Sequence, residues 1–221
     1  MRIDVDKIEQ ILCYRFRNRK LLIQAFTHSS YSNENRCECN ERLEFLGDSV
    51  LSVIISTKLF FDSDKREGAL SRLRARIVSE KPLALIAESL QIDGFLLKGE
   101  GEKRTETTQS MKADLVESII GAIYLDGGLD EAKKFVLRVF EDIIIEMENT
   151  DEEKDYKTQL QEKFSHAKIK YIAEKSGPPH MPEFAVVVYI NNVAVGRGEG
   201  KTKREAEQMS AHNALYNVKN K

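Results

Sequence analysis

Asn40-Glu41-Arg42-Leu43-Glu44-Phe45-Leu46-Gly47-Asp48-Ser49-Val50-Leu51 places three carboxylates in a segment that otherwise reads as a buried helix. Glu44 and Asp48 are four residues apart, so they share one helical face, about 6 Å apart along the axis. A like-charged pair at that spacing costs about 0.2–0.5 kcal/mol when exposed. The cost rises steeply on desolvation unless a cation neutralises it. The economical reading is a divalent metal site.

A second acidic helix accompanies the first. Met111-Lys112-Ala113-Asp114-Leu115-Val116-Glu117-Ser118-Ile119-Ile120-Gly121 continues as an apolar run to Leu125 and is stopped by Gly127-Gly128. Asp114 and Glu117 again share a face, with Gly121 one turn further along it. A helical Gly costs about 1 kcal/mol relative to Ala and so marks close packing; Gly47 reads the same way. Helices crossing at these glycines would bring four carboxylates together. Oxygen donors without nearby Cys or His suit Mg²⁺ or Mn²⁺ rather than Zn²⁺. Such a site can activate water, orient a phosphate and stabilise a leaving oxygen. The plainer alternative is solvated acids paired with Arg42 or Lys112. Two acidic pairs, each in an apolar helix with a glycine, favour the metal site.

The 221 residues leave room for one large or two small domains. The charged start, Met1-Arg2-Ile3-Asp4-Val5-Asp6, does not resemble a secretory signal, and no apolar run approaches the roughly 18 residues that span a bilayer. The expectation is a cytoplasmic protein without membrane contact. Cys13, Cys37 and Cys39 are an odd number of thiols, suited to a reducing compartment. Cys37-Glu38-Cys39 has no second Cys or His pair at zinc spacing. The net charge of −2 hides a segregation: residues 155–221 hold 11 Lys and Arg against 7 Asp and Glu, net +4, which leaves −6 for the rest. An acidic front and a basic tail suggest that one part holds metal and the other a polyanion.

Helical patterns fill residues 1–148: Asp6–Arg15, Arg19–Phe26, Asn40–Phe61 with Asn40 as N-cap, Gly68–Glu80, Pro82–Leu90, Met111–Leu125 and Leu129–Glu148, with Ser29–Cys39 a polar turn and Gly94–Thr108 a loop. Residues 149–155 are charged and lack apolar periodicity, which reads as a linker. From Tyr156 to Lys221 the period changes: a short helix to Ser165, an alternating strand around Ile169, a strand Phe184–Ile190, a tight turn at Asn191-Asn192, a returning strand from Val193, and a closing helix Lys203–Val218. The class is α+β, an all-helical domain followed by a small α-β-β-β-α domain.

Gly196-Arg197-Gly198-Glu199-Gly200-Lys201-Thr202-Lys203-Arg204 is the other strong signal. Glycines let backbone approach a surface closely, and a helix N-terminus offers free N–H groups and a positive dipole end to phosphate. Lys201, Lys203 and Arg204 gather at that end. The alternative is an ordinary Gly-rich turn with a solvated charge run; nucleotide binding lacks the parallel βαβ unit it needs.

Asn40–Leu51 resembles the signature of the ribonuclease III family, the double-stranded-RNA endonucleases. Ala113–Gly128, Glu67-Gly68-Ala69-Leu70-Ser71-Arg72-Leu73-Arg74-Ala75 and Thr27-His28-Ser29-Ser30-Tyr31 through Asn35 are similar to further segments of that family. The tail resembles the double-stranded-RNA-binding domain, with Lys157-Thr158-Gln159-Leu160-Gln161-Glu162 and the loop Gly177–Phe184 matching as well. The resemblance implies Glu44, Asp48, Asp114 and Glu117 as metal ligands, Asp48 and Glu117 as catalytic groups, and Mg²⁺ as cofactor with Mn²⁺ a substitute. It makes Glu41 and Glu67 accessory acids. It implies a homodimer in which Phe45 is a contact, whereas the apolar character of Phe45 by itself points to the core. It implies a tail that reads A-form RNA by shape across about 16 bp, with Thr158, Gln161, Glu162 and Ser165 at one minor groove, His180 at the next, and Lys201, Lys203 and Arg204 on phosphates. The expected activity is hydrolysis of double-stranded RNA to 5′-phosphate and 3′-hydroxyl ends with short 3′ overhangs, with ribosomal RNA precursors among the substrates. Two rivals remain: a non-catalytic double-stranded-RNA binder, and a helical metalloenzyme acting on a small diphosphate, which would leave the tail without a role.

Overall fold

A computed structural model describes residues 3–103, 105–152, 156–178 and 182–219. Contacts divide the chain into two units, Met1–Met147 and Glu148–Lys221.

The first unit is helical: α1 (Val5–Leu12), α2 (Arg19–Ala25), α3 (Ser29–Asn35), α4 (Glu41–Asp62), α5 (Glu67–Ile77), α6 (Glu80–Ser89) and α7 (Gln109–Gly127). Helix α8 (Leu129–Glu152) runs over four of the seven residues read as a linker; residues 153–155 lie outside the described ones.

Helix α7 is the axis of this unit. Its residues Ala113, Leu115, Val116, Ser118, Ile119, Ile120, Gly121, Ala122 and Ile123 are all buried, and a helix apolar on every side must be surrounded. It packs against α4, α6 and α2. Its start is fixed by Thr108, whose side chain accepts the Met111 amide at 3.2 Å. Its end is fixed by Asp126, which accepts bonds from the amides of Arg17 (2.9 Å) and Asn18 (2.7 Å) and from the Tyr14 hydroxyl (2.7 Å).

One local expectation needs correcting, and a second holds in position but not in its bond. Ser29–Asn35 is a helix rather than a turn. Ser and Asn are indifferent helix formers and no buried face shows the period. What holds α3 is the His28 ring, which accepts the Ser30 amide at 3.3 Å, and Glu34, whose carboxylate accepts the Glu100 amide at 2.9 Å. Asn40 does precede α4, but its side chain makes no cap bond. The residue is buried and αR, and its carbonyl accepts from Leu43, Glu44 and the Ser118 hydroxyl.

The second unit is α9 (Tyr156–Lys163), β1 (Ile169–Ser176), β2 (Glu183–Ile190), β3 (Val193–Gly200) and α10 (Lys203–Lys219). The three strands form one antiparallel sheet in chain order. Asn191 and Asn192 both have positive φ, 49° and 68°, the pair that a two-residue hairpin requires. Leu160, Val188, Ile190, Ala211 and Ala214 make the core between helices and sheet.

Candidate metal centre and nucleic-acid interface

The site of the first unit is built where α4 crosses α7. A Cβ added to Gly47 would collide with the Glu117 carbonyl oxygen and lie 3.1 Å from the Gly121 amide nitrogen. One added to Gly121 would collide with the Leu43 carbonyl oxygen and lie 3.2 Å from the Gly47 nitrogen. The two backbones therefore touch, as only glycines at both positions allow. The crossing brings carboxylate oxygens of Glu44, Asp114 and Glu117 within 4.8 Å of one another, each residue half-buried. Asp48 stands outside that group, exposed at its rim.

Electrostatics follow from this crowding. Glu117 is pushed up to about 8, first by burial and then by the charges of Asp48, Glu44 and Asp114. Burial also raises Glu44, with Asp114 and Glu41 adding to it. Asp114 is raised by burial and by Glu80, against a 3.5 Å hydrogen bond from Ser110 and the nearby His28 ring. Among the described residues no cation is among the causes acting on Glu44 or Glu117. Lys112, the suggested neutralising partner, is instead bound to Glu88 at 2.7 Å. An all-oxygen cluster that resists its own ionisation fits a hard divalent cation.

The accessory acids divide. Glu41 acts on Glu44. Glu67 opens α5, exposed, and accepts a 2.8 Å bond from Ser71. It lines a separate cavity of about 430 Å³ with Leu59, Phe60, Lys65 and Arg74. Glu80 was missed in the sequence, where it is an ordinary acid in a first helical turn. Phe45 is 78% exposed, so the core reading fails. With Val53 and Phe60 it leaves an apolar stripe along α4 facing solvent.

In the second unit Thr158 is half-buried and Gln161 and Glu162 exposed on α9, with Ser165 exposed in the turn beyond; Leu160 is buried beneath them. His180 lies outside the described residues. Lys201, Lys203 and Arg204 are exposed around the start of α10. That start is shaped by Thr202, whose hydroxyl accepts the Glu205 amide at 3.1 Å, while the Glu205 carboxylate accepts the Lys201 amide at 2.9 Å. The glycine run has a structural use. A Cβ at Gly196 or Gly198 would strike the backbone of α10 at Ser210, so the surface these glycines approach is the helix itself.

Known proteins resemble both units. The family described as ribonuclease-III-like matches residues 18–143, and the double-stranded RNA binding motif matches residues 156–218. Ribonuclease 3 of Caldanaerobacter subterraneus subsp. tengcongensis is 42% identical over 94% of this chain and 95% of its own length. Ribonuclease 3 of Clostridium tetani is 42% identical over 98% of this chain and 95% of its own. The solved nuclease domain of ribonuclease III from Campylobacter jejuni, described as flexible in a region involved in dimer formation, is 42% identical with a TM-score of 0.60, covering 63% of this chain and 97% of that one. The three-carboxylate crossing, the α-β-β-β-α tail and full-length relatives together place the chain in the ribonuclease III family, as an endonuclease of double-stranded RNA.

Proposed function

We propose that this endonuclease works with Mg²⁺, or Mn²⁺ in its place, held by Glu44, Asp114 and Glu117 with Asp48 at the open rim. The observation that carries this is the half-buried carboxylate group on two helices locked backbone to backbone. When bound, such an ion supplies charge neutralisation at the phosphate and a more acidic water for in-line attack. The side chains do the rest. Glu44 and Asp114 fix two of the oxygens, held in place by the α4–α7 contact. Glu117, whose carboxyl prefers its proton in the isolated cluster, gives it up when a cation arrives. Asp48, exposed beside it, is the catalytic carboxylate nearest solvent and nearest an entering duplex. Water oxygen adds to phosphorus as the bond to the 3′ oxygen breaks, leaving a 5′-phosphate and a 3′-hydroxyl.

The apolar stripe through Phe45 suits a second copy of the chain, so that two sites cut opposite strands and leave short 3′ overhangs. The tail seats the duplex through Thr158, Gln161, Glu162, Ser165 and His180 at the minor grooves and Lys201, Lys203 and Arg204 on phosphates. Structured transcripts such as ribosomal RNA precursors are the substrates. The three free thiols support a cytoplasmic setting, and no helix among the described residues is long and apolar enough to cross a membrane. Cleavage of an end-labelled duplex with Mg²⁺ or with EDTA, by wild type and Glu117→Gln, tests the reading. Metal-dependent cutting lost in the variant, with binding kept, supports it. Binding without cutting under every metal condition sinks it.

A further inference from the structure

The first turn of α9 is held by a set of contacts that no step above uses. The Lys157 ammonium is 2.6 Å from the Glu207 carboxylate on α10. The same residue's amide donates to the Gln208 side-chain oxygen at 3.1 Å. The ammonium also lies over the Tyr171 ring of β1, 4.7 Å from its centroid. One residue earlier, the Tyr156 ring meets His212 edge-on at 4.5 Å. Glu207 is the more buried partner of the ion pair, with 16% of its side chain exposed. The Tyr171 hydroxyl is buried without a hydrogen-bond partner among the described residues. Burial and the Glu207 charge push it up to about 12, and with no bond from this hydroxyl the Glu207 carboxylate is left to Lys157.

We infer that Lys157 and Glu207 form a positioning clamp: they set the angle of α9 on the sheet and α10, and through it the RNA-reading face at Thr158, Gln161 and Glu162. The inference rests on the proposal that this face meets the minor groove. Its physical ground is rotation. On the short helix α9 Leu160 is fully buried and Tyr156 packs half-buried against the same core, and apolar contacts, being non-directional, fix depth better than rotation. Lys157 adds charge, amide and ring contacts to two other elements, which fixes the rotation. Residues 158, 161 and 162 lie within about one and a half turns of it, so they turn with it.

The clamp makes a prediction opposite to that of bulk charge. Glu207→Gln removes a negative charge from a surface that binds a polyanion, which by itself would tighten binding. Loss of the clamp weakens it instead. The test measures Kd and cleavage by the full-length protein for one RNA duplex across salt, for wild type, Glu207→Gln, Lys157→Met, Lys157→Arg and Gln161→Ala, with thermal unfolding to confirm folding. The expected result is binding weakened about fivefold in Glu207→Gln and Lys157→Met, the scale of one partly buried charge pair. KM rises, kcat holds, and Lys157→Arg restores affinity. The slope of log Kd against log salt stays at its wild-type value, whereas loss of a direct phosphate contact would lower it by about one. Unchanged or tighter binding by Glu207→Gln, while Gln161→Ala weakens it, overturns the clamp alone. Unchanged binding by Gln161→Ala overturns the α9 face and the clamp with it. A slope lowered by about one in Lys157→Met makes Lys157 a phosphate ligand and overturns positioning.

Discussion

Gly47→Ala puts one methyl group into the α4–α7 crossing. The added carbon collides with the Glu117 carbonyl oxygen and lies 2.6 Å from its carbonyl carbon. Ordinary contact between carbons is about 3.5–4.0 Å, so the helices must part by about 1 Å. Both obstacles are backbone and cannot rotate aside. Alanine returns about 1 kcal/mol of helix propensity, while overpacking against backbone that cannot turn aside falls at the upper end, about 2–3 kcal/mol. A net loss of about 1–2 kcal/mol would lower the Tm of the nuclease unit by roughly 3–8 °C. Activity should suffer more, because the moved atoms belong to Glu117 while Glu44 and Asp48 stay with α4. A misplacement of about 1 Å costs on the order of 10²-fold. The assay is initial-rate cleavage of an RNA duplex against Mg²⁺ concentration, beside thermal unfolding and duplex affinity. The half-saturating Mg²⁺ should rise and the maximal rate fall, with duplex affinity kept. Lys133→Ala, exposed on α8, should change none of these. Wild-type Tm and wild-type Mg²⁺ dependence in Gly47→Ala would refute the claim that this contact sets the carboxylate geometry.

Three further outcomes are expected. Glu117 is raised to about 8 against an unfolded value near 4.3, so between those values the folded protein holds a proton that the unfolded chain has released, and stability must fall as pH rises; in EDTA the Tm of the nuclease unit should decline from about pH 5 to 8, and Mg²⁺ or Glu117→Gln should flatten the slope. Burial raises Asp126, but its bonds from Arg17, Asn18 and Tyr14 outweigh that and lower it; its contribution is complete above the ordinary carboxylate range near pH 4 and is lost as pH falls through the lowered value, and Asp126→Ala should cost about 1–2 kcal/mol at pH 7 by urea unfolding, the scale of charge-assisted bonds screened by solvent. Gly198→Ala would press a methyl onto the α10 backbone, 2.6 Å from the Met209 carbonyl carbon; it should destabilise the RNA-binding unit by about 1–3 kcal/mol and weaken duplex binding, read by unfolding of that unit and by Kd.

The acidic helices were legible because burial of like charges is costly wherever it occurs, so Glu44, Asp48, Asp114 and Glu117 stood out against apolar surroundings. Gly47 and Gly121 were legible as close-packing positions for the same kind of reason: glycine in a helix must be offset. The hairpin at Asn191-Asn192 could be read from local backbone preference alone. Other features had no local signal. Helix α3 is held by His28 and by the Glu34 contact to Glu100, partners distant in sequence or invisible to periodicity. Which three carboxylates cluster, and that Asp48 stays at the rim, depended on the crossing of two helices some 70 residues apart. Phe45 shows the limit: hydrophobicity says that a ring seeks burial, not which surface supplies it, and the chain leaves it in solvent. The glycines of β3 read as a surface for close approach, and only packing revealed that α10 is what approaches. Sequence by itself determined which residue types had to be brought together, because their local costs are intrinsic. Tertiary structure decided which of them meet, because distance between helices is set by the whole core.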